Sequence, residues 1–390
     1  MTMKKNLLYL IMSAAVIFAA CKDDKDKKDP VTPPTVTDEN LSGAINSSRT
    51  LDAAINYTLT GPLIVEDGGV LTIPAGTTIK ARKGFGSYIL VLQGGKINVN
   101  GTAEKPVTMT ADIANAEQGH WGGLIINGKA PLADPSEVGS TEINSAYVYG
   151  GNDPNDNSGT ITYLKLEYTG ARSSANVEHN GLTLNGVGAG TTIENIYIPN
   201  GADDGIEFFG GCVNVKNLLV VNSDDDMFDF TQGYCGTLEN AYGIWEAGYV
   251  SSESDPRGVE ADGNLDGLNP EYPNQANFTI KNMTVDLRLE PNTTEGFYMH
   301  DVIKVRRGAI ANIENALVKG QGQVKDLIDL KDKKGDGQES SVISLTNSLT
   351  TPFSGKDINK EEGTTYENVK IEDGNTGCPT NLFGWTGYQL

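Results

Sequence analysis

Two acidic stretches carry the strongest chemical signal in the chain. "GADDGIEFF" holds Asp203, Asp204 and Glu207, and "NSDDDMFDF" holds Asp224, Asp225, Asp226 and Asp229. Carboxylates at this density repel one another, so they must be solvated, partly protonated with raised pKa values, or bridged by a cation. Calcium, which takes roughly six to eight oxygen ligands, suits such a set. A polysaccharide hydrolase would use the same groups as acid and base, with Asp204, Asp225 and Asp226 as candidates. A lyase would add a basic residue to remove a proton, and Lys304, Arg306 and Arg307 lie at hand in "HDVIKVRR". The third reading is an acidic turn row facing solvent, since aspartate is a good turn former. Glu295, Asp326 and Asp329 extend the acidic series. "DGNLDG", Asp262 to Gly267, matches the first half of a calcium loop, with Asp262, Asn264 and Asp266 as ligands. Pro273 stands where that loop's last, bidentate glutamate belongs, which excludes an EF-hand.

A repeat must position these acids. An apolar residue, any residue, Asn and further apolar residues recur in IENIYI, VKNLLV, LENAYG, IKNMTV, IENALV, LTNSLT and YENVKI. Their asparagines, Asn195, Asn217, Asn240, Asn282, Asn315, Asn347 and Asn368, are separated by 22, 23, 42, 33, 32 and 21 residues. A spacing near 22 is one rung of a parallel β-helix, 32 or 33 a rung with a longer loop, and 42 a rung with a large insertion or two rungs. Short β-branched runs between Gly, Asn and Asp favour strands and tight turns. The spacing therefore predicts an all-β fold, a right-handed parallel β-helix of roughly ten or eleven rungs over residues 41–390. Stacked asparagine amides would hydrogen-bond along its axis. Asp204 and Asp226 each fall nine residues after their asparagine, and Glu207 and Asp229 twelve after, so the acids should form paired rows on adjacent rungs.

Cys212 and Cys235 each lie five residues before their asparagine. Strands stacked about 4.8 Å apart fall within disulfide range, so the pair is either a bridge or two stacked buried thiols; Cys378 has no partner. His120, His179 and His300 are scattered and read as surface or turn residues. Ala130 to Gly159, rich in Asp, Pro, Asn and Gly, reads as a surface loop. A second long loop, at about 246–276, carries Tyr249 and Tyr272 and follows Trp245. Loops on rigid scaffolds often carry function, and these aromatics are candidates for stacking on sugar rings.

The amino terminus reads as an address. Lys4 and Lys5 precede an apolar run from Leu7 to Ala20, too short to span a bilayer and shaped like a secretory signal over residues 1–20. Its end at Cys21 resembles a bacterial lipoprotein signal, which implies lipidation of Cys21. The following Lys22-Asp23-Asp24 resembles the surface-export signal of Bacteroidota lipoproteins, which implies the outer face of the outer membrane. Residues 21–40, charged and carrying Pro30, Pro33 and Pro34, read as a flexible tether. A net charge of −21 argues against nucleic acid and against docking on anionic lipid.

"WGGLIINGKAP", "GADDGIEFFGG", "NSDDDMFDFTQGYCG" and "RGVEADGN" together resemble a family of Bacteroidota surface lipoproteins built on a right-handed parallel β-helix, and more distantly the pectate lyases. The resemblance implies the fold and leaves activity open. The expectation is a lipid-anchored surface module that captures a glycan or another nutrient beside an outer-membrane uptake system, or acts as an adhesin, with calcium as a brace. The alternative is a polysaccharide lyase or glycoside hydrolase on the same scaffold.

Overall fold

Period-two alternation and the asparagine repeat produce a solenoid. The computed structural model describes residues 38–174, 177–353 and 355–390; the signal, Cys21 and nearly all of the tether lie outside them. Along one face eleven strands stack in parallel, from Ser48–Thr50 through Val70–Pro74, Lys96–Asn100 and Gly159–Leu166 to Val342–Leu349 and Val369–Ile371. A second stack runs from Gly84–Val91 and Trp121–Asn127 through Leu182–Asn185, Ile206–Phe209, Phe228–Thr231, Arg257–Asp262, Met299–Arg306 and Val324–Asp329 to Ile358–Asn359. The inward aliphatic positions form one continuous core. Within it Phe208, Phe230 and Phe278 stack face to face, at 5.0 and 4.2 Å between centroids.

The repeated asparagine makes the corner of the rung. Asn195, Asn217, Asn240, Asn282 and Asn315 all have φ between 56° and 63°, a left-handed conformation that asparagine tolerates better than most residues. The strand pairing skips them, so each marks a bend within its strand. Their amides stack, with each Nδ2 donating to the Oδ1 of the rung before at 2.8–2.9 Å. Asn347 and Asn368 leave this ladder, against expectation. A register shift after Ile313 pairs Asn347 with Val318, and Asn368 is exposed. The ladder ends instead on the backbone amides of Thr376 and Gly377, which donate to Asn315 Oδ1.

That tail, residues 374–390, folds back along the outside of the stack. Cys378 and Phe383 bury against Leu219, Val221, Tyr242 and Ile244. Trp385 meets Tyr163 edge-on at 5.4 Å, and Lys165 Nζ donates to the Thr386 carbonyl at 2.7 Å. Cys212 and Cys235 are bonded across adjacent rungs, and among the described residues Cys378 is free and buried.

Both expected loops are more ordered than their composition suggests. Within Ala130–Gly159 an antiparallel hairpin, Gly139–Thr141 with Asn144–Tyr149, lies over the second stack, held because Leu132 and Tyr149 bury against Phe209. The region 246–276 contains the strand Arg257–Asp262. Thr237–Trp245 pairs directly with Asn277–Leu287, so the 42-residue interval is one rung with insertions.

Candidate functional site

The second stack lines up the chemistry. Strand register places Thr183, Glu207, Asp229, Glu260, Lys304, Asp329 and Asn359 one above another. The five charged members occupy the outward position between two inward apolar residues: Ile206-Glu207-Phe208, Phe228-Asp229-Phe230, Val259-Glu260-Ala261, Ile303-Lys304-Val305, Ile328-Asp329-Leu330. Beside this row Asp204 Oδ1 accepts the Asp226 amide at 2.9 Å, and Asp226 Oδ1 accepts the Arg257 amide at 2.7 Å. These aspartates thus cap the backbone of the next rung as well as carrying charge. Gly205 sets their approach: a Cβ there would lie 2.6 Å from Val220 and 2.7 Å from the Met227 carbonyl.

The expected acidic rows do come together. One oxygen each from Asp203, Asp204 and Asp225, and one each from Asp204, Glu207 and Asp229, lie within 4.8 Å of one another. Burial pushes Asp203, Asp204, Glu207 and Asp226 well above the carboxylate range, with Glu178 adding to it at Asp203, Glu207 at Asp204, Asp229 at Glu207 and Asp225 at Asp226. Burial raises Asp229 too, and lifts Asp225 to about 7 against the pull of Arg257. Among the described residues Asp225 Oδ1 and Asp229 Oδ1 are buried without a hydrogen-bond partner. An oxygen-lined set with two unpartnered buried oxygens fits a hard cation such as calcium.

A third convergent group, Asp301, Asp326 and Asp329, is different. Lys304 Nζ sits 2.6 Å from Asp329 and Arg257 Nε 3.4 Å from Asp301 Oδ2, so side-chain cations already face it, while Asp301 Oδ1 is buried with no hydrogen-bond partner among the described residues. Lys304, Arg306 and Arg307, read from sequence as a basic trio that would serve a lyase if it faced the acids, do face them. Arg306 binds Asp262 at 2.6 Å and also Glu260, Arg307 binds Asp262 and Asp332, and Lys304 also donates to the Lys331 carbonyl at 2.7 Å.

Several expectations are corrected. Asp262, Asn264 and Asp266 do not form a calcium loop. Both guanidiniums occupy Asp262, Asn264 is buried and bonded to Gln275 and the Arg307 carbonyl, and Asp266 points to solvent at φ 53°. Trp245 cannot stack on a ligand, because it is fully buried with Nε1 bonded to the Ser223 carbonyl. Tyr249 and Tyr272 are both half-buried, but the Tyr249 hydroxyl is tied to Gln118, Ser223 and Asp224. His120 is buried against Asp112 at 2.9 Å. His179 is lodged between Phe85 and Tyr88, where burial pushes its pKa down to about 4. Glu295 is exposed and outside the rows.

Sequence reasoning missed Glu260, Arg257, His300 and Lys325. The first was findable: "VEA" repeats the apolar–acid–apolar triplet of "IEF" and "FDF". The others emerge only from register. Arg257, His300 and Lys325 border an open cleft of about 800 Å³ over the last rungs, lined also by Lys304, Arg306, Lys331, Lys333 and five carboxylates.

No curated protein matches the chain. Among solved structures it is similar to the catalytic domain of a GH87 alpha-1,3-glucanase in complex with tetrasaccharides (14% identity, TM-score 0.33, 81% of this chain and 63% of that one). The same domain in complex with nigerose gives 13% identity and a TM-score of 0.31, over 82% of this chain and 64% of that one. The chain thus spans under two thirds of those relatives' length. Residues 43–387 match the model of the pectate-lyase like beta helix domain, and the chain belongs to that family.

Proposed function

We propose that the protein is a surface binding module for an anionic glycan, tethered to the outer membrane by lipid on Cys21 and working beside an uptake system or as an adhesin. The observation that carries this reading is the cleft. In a chain of net charge −21, one open groove gathers six Lys and Arg side chains and His300 against five carboxylates. Such a groove draws carboxylated or sulfated sugars while the rest of the surface repels them. The acid rows next to it act as a brace: Asp203, Asp204 and Asp225, and Asp204, Glu207 and Asp229, would hold calcium, whose role is to neutralise charge buried within the sheet. The test is calorimetric titration with polygalacturonate, heparin and neutral dextran, in calcium or in chelator. Binding of the two polyanions but not dextran is expected, and indifference to all three would refute the reading.

A second reading is favoured by one observation. Glu207 and Asp229 are neighbouring carboxyls both raised by burial, and a carboxyl kept protonated can serve as general acid in glycan cleavage. Most other candidates are engaged: Asp204 and Asp226 accept backbone amides, and Lys304 and Arg306 are ion-paired. Release of reducing ends or unsaturated uronates, abolished in Glu207→Gln, would establish this reading over the first.

A further inference from the structure

His300 lies at the cleft wall with both ring nitrogens engaged. Nδ1 is 3.0 Å from Asp301 Oδ2, and Nε2 is 3.0 Å from Lys325 Nζ. Asp301 is completely buried and the imidazole is 21% exposed. Lys325 also lines a neighbouring pocket of about 250 Å³ with Tyr298 and Gln323.

The proton count of this chain is fixed by its geometry. A carboxylate accepts, so Nδ1 carries a hydrogen. Nε2 must then accept from the Lys325 ammonium, or donate to a neutral amine. Either way the two side chains share one positive charge. If both were fully protonated, two donors would meet at 3.0 Å and the contact would break.

We propose that His300 and Lys325 form an anion subsite that fills with uptake of one proton. The inference rests on the reading of the cleft as an anionic-glycan site. In the free protein Lys325 is held on the imidazole. A carboxylate or sulfate in the cleft draws the ammonium away and leaves Nε2 without its donor. The vacated nitrogen then takes a proton from solvent, and the imidazolium donates to the same anion. The charges facing the ring support this step. Asp301 is on its own strand, Asp255 precedes the Arg257 strand and feels the ring's charge, and Asp326 is paired opposite Asp301. Arg257 and Lys304 oppose it, but Arg257 is shared among Asp226, Asp255, Glu260 and Asp301, and Lys304 is paired with Asp329.

Because filling the subsite takes up a proton, affinity must by linkage rise as pH falls. The experiment is titration of the full domain with polygalacturonate at pH 5.5 and 8, in paired buffers of different ionisation heat. Wild type is expected to bind on the order of tenfold tighter at the lower pH, with uptake approaching one proton. His300→Gln, which keeps an acceptor for Lys325, should bind at both pH values without uptake. In the ligand-free protein, the Lys325 side-chain signals should shift together with the His300 ring signals in wild type and lose that transition in His300→Gln. Binding without proton uptake, or with the same pH dependence in His300→Gln, overturns the subsite alone. Failure of any polyanion to bind at either pH overturns both the subsite and the function on which it rests.

Discussion

Asp225 gives the acid rows a measurable signature. Its folded-state pKa is about 7 against an ordinary 3.8. A raised carboxyl binds its proton more tightly in the folded state. Its contribution is therefore complete below the unfolded value and is lost as pH rises through the folded one. Three units correspond to about 4 kcal/mol lost between roughly pH 4 and pH 8. Asp203, Asp204, Glu207 and Asp226 shift in the same direction, so their losses add to it. In chelator the protein should melt several degrees lower at pH 8 than at pH 5. Millimolar calcium should restore the difference at pH 8 and do little at pH 5, where protons hold the same oxygens. At a hundredfold excess over its dissociation constant, the ion contributes about 2.7 kcal/mol. Asp225→Asn should raise the pH 8 melting temperature in chelator and shrink the calcium effect. The assay is thermal denaturation across pH with and without chelator. A melting temperature that climbs steadily from pH 5 to 8 in chelator would refute the reasoning, because it would mean that the rows are solvated and ionised.

Asn240→Ala loses two ladder hydrogen bonds and places alanine at φ 63°; a loss of about 3 kcal/mol is expected in denaturant melts, with Asn240→Gly recovering the conformational part. Reduction of Cys212–Cys235, which closes a 23-residue interval, should cost about 3 kcal/mol, and thiol titration of the denatured, unreduced domain from residue 41 should find Cys378 alone. Lys331→Glu with Lys333→Glu should abolish polyanion binding in calorimetry with no change in melting temperature, since these side chains line the cleft and lie outside the core. Trp245→Ala should destabilise by about 3–5 kcal/mol, whereas Tyr272→Ala should be neutral in the same melts.

The solenoid was legible because its repeat is written in one residue type with a double role. Asparagine both turns the rung and bonds to its neighbour, so its spacing reports rung length directly. The pattern misled where the local sequence matched and the register had shifted. "LTN" at Leu345 resembles "IEN" at Ile313, yet a bulge moves Asn347 off the ladder. The acid rows were legible for the same reason as the ladder, by equal offsets from an asparagine. Of the basic half only Lys304, Arg306 and Arg307 were legible, as a local cluster; Arg257, His300 and Lys325 were not assigned to it, because they come from rungs whose insertions destroy any constant offset. The calcium-loop motif failed because spacing cannot show that two guanidiniums already hold Asp262. The aromatic reading failed at Trp245, where a polar loop begins one residue after a strand that is still in the core.

The carboxyl-terminal tail alters how the molecule comes apart. In a stack of rungs each contact spans about one repeat, and stability is a sum of nearest-neighbour terms that can fray from either end. The tail breaks that rule. Lys165 meets Thr386 across 221 residues, and Asn315 meets Gly377 across 62. It works as a clamp laid lengthwise over the rungs and couples units that would otherwise open independently. Docking of residues 374–390 is therefore what makes the stack cooperative. Until they dock, the rungs can still separate one by one.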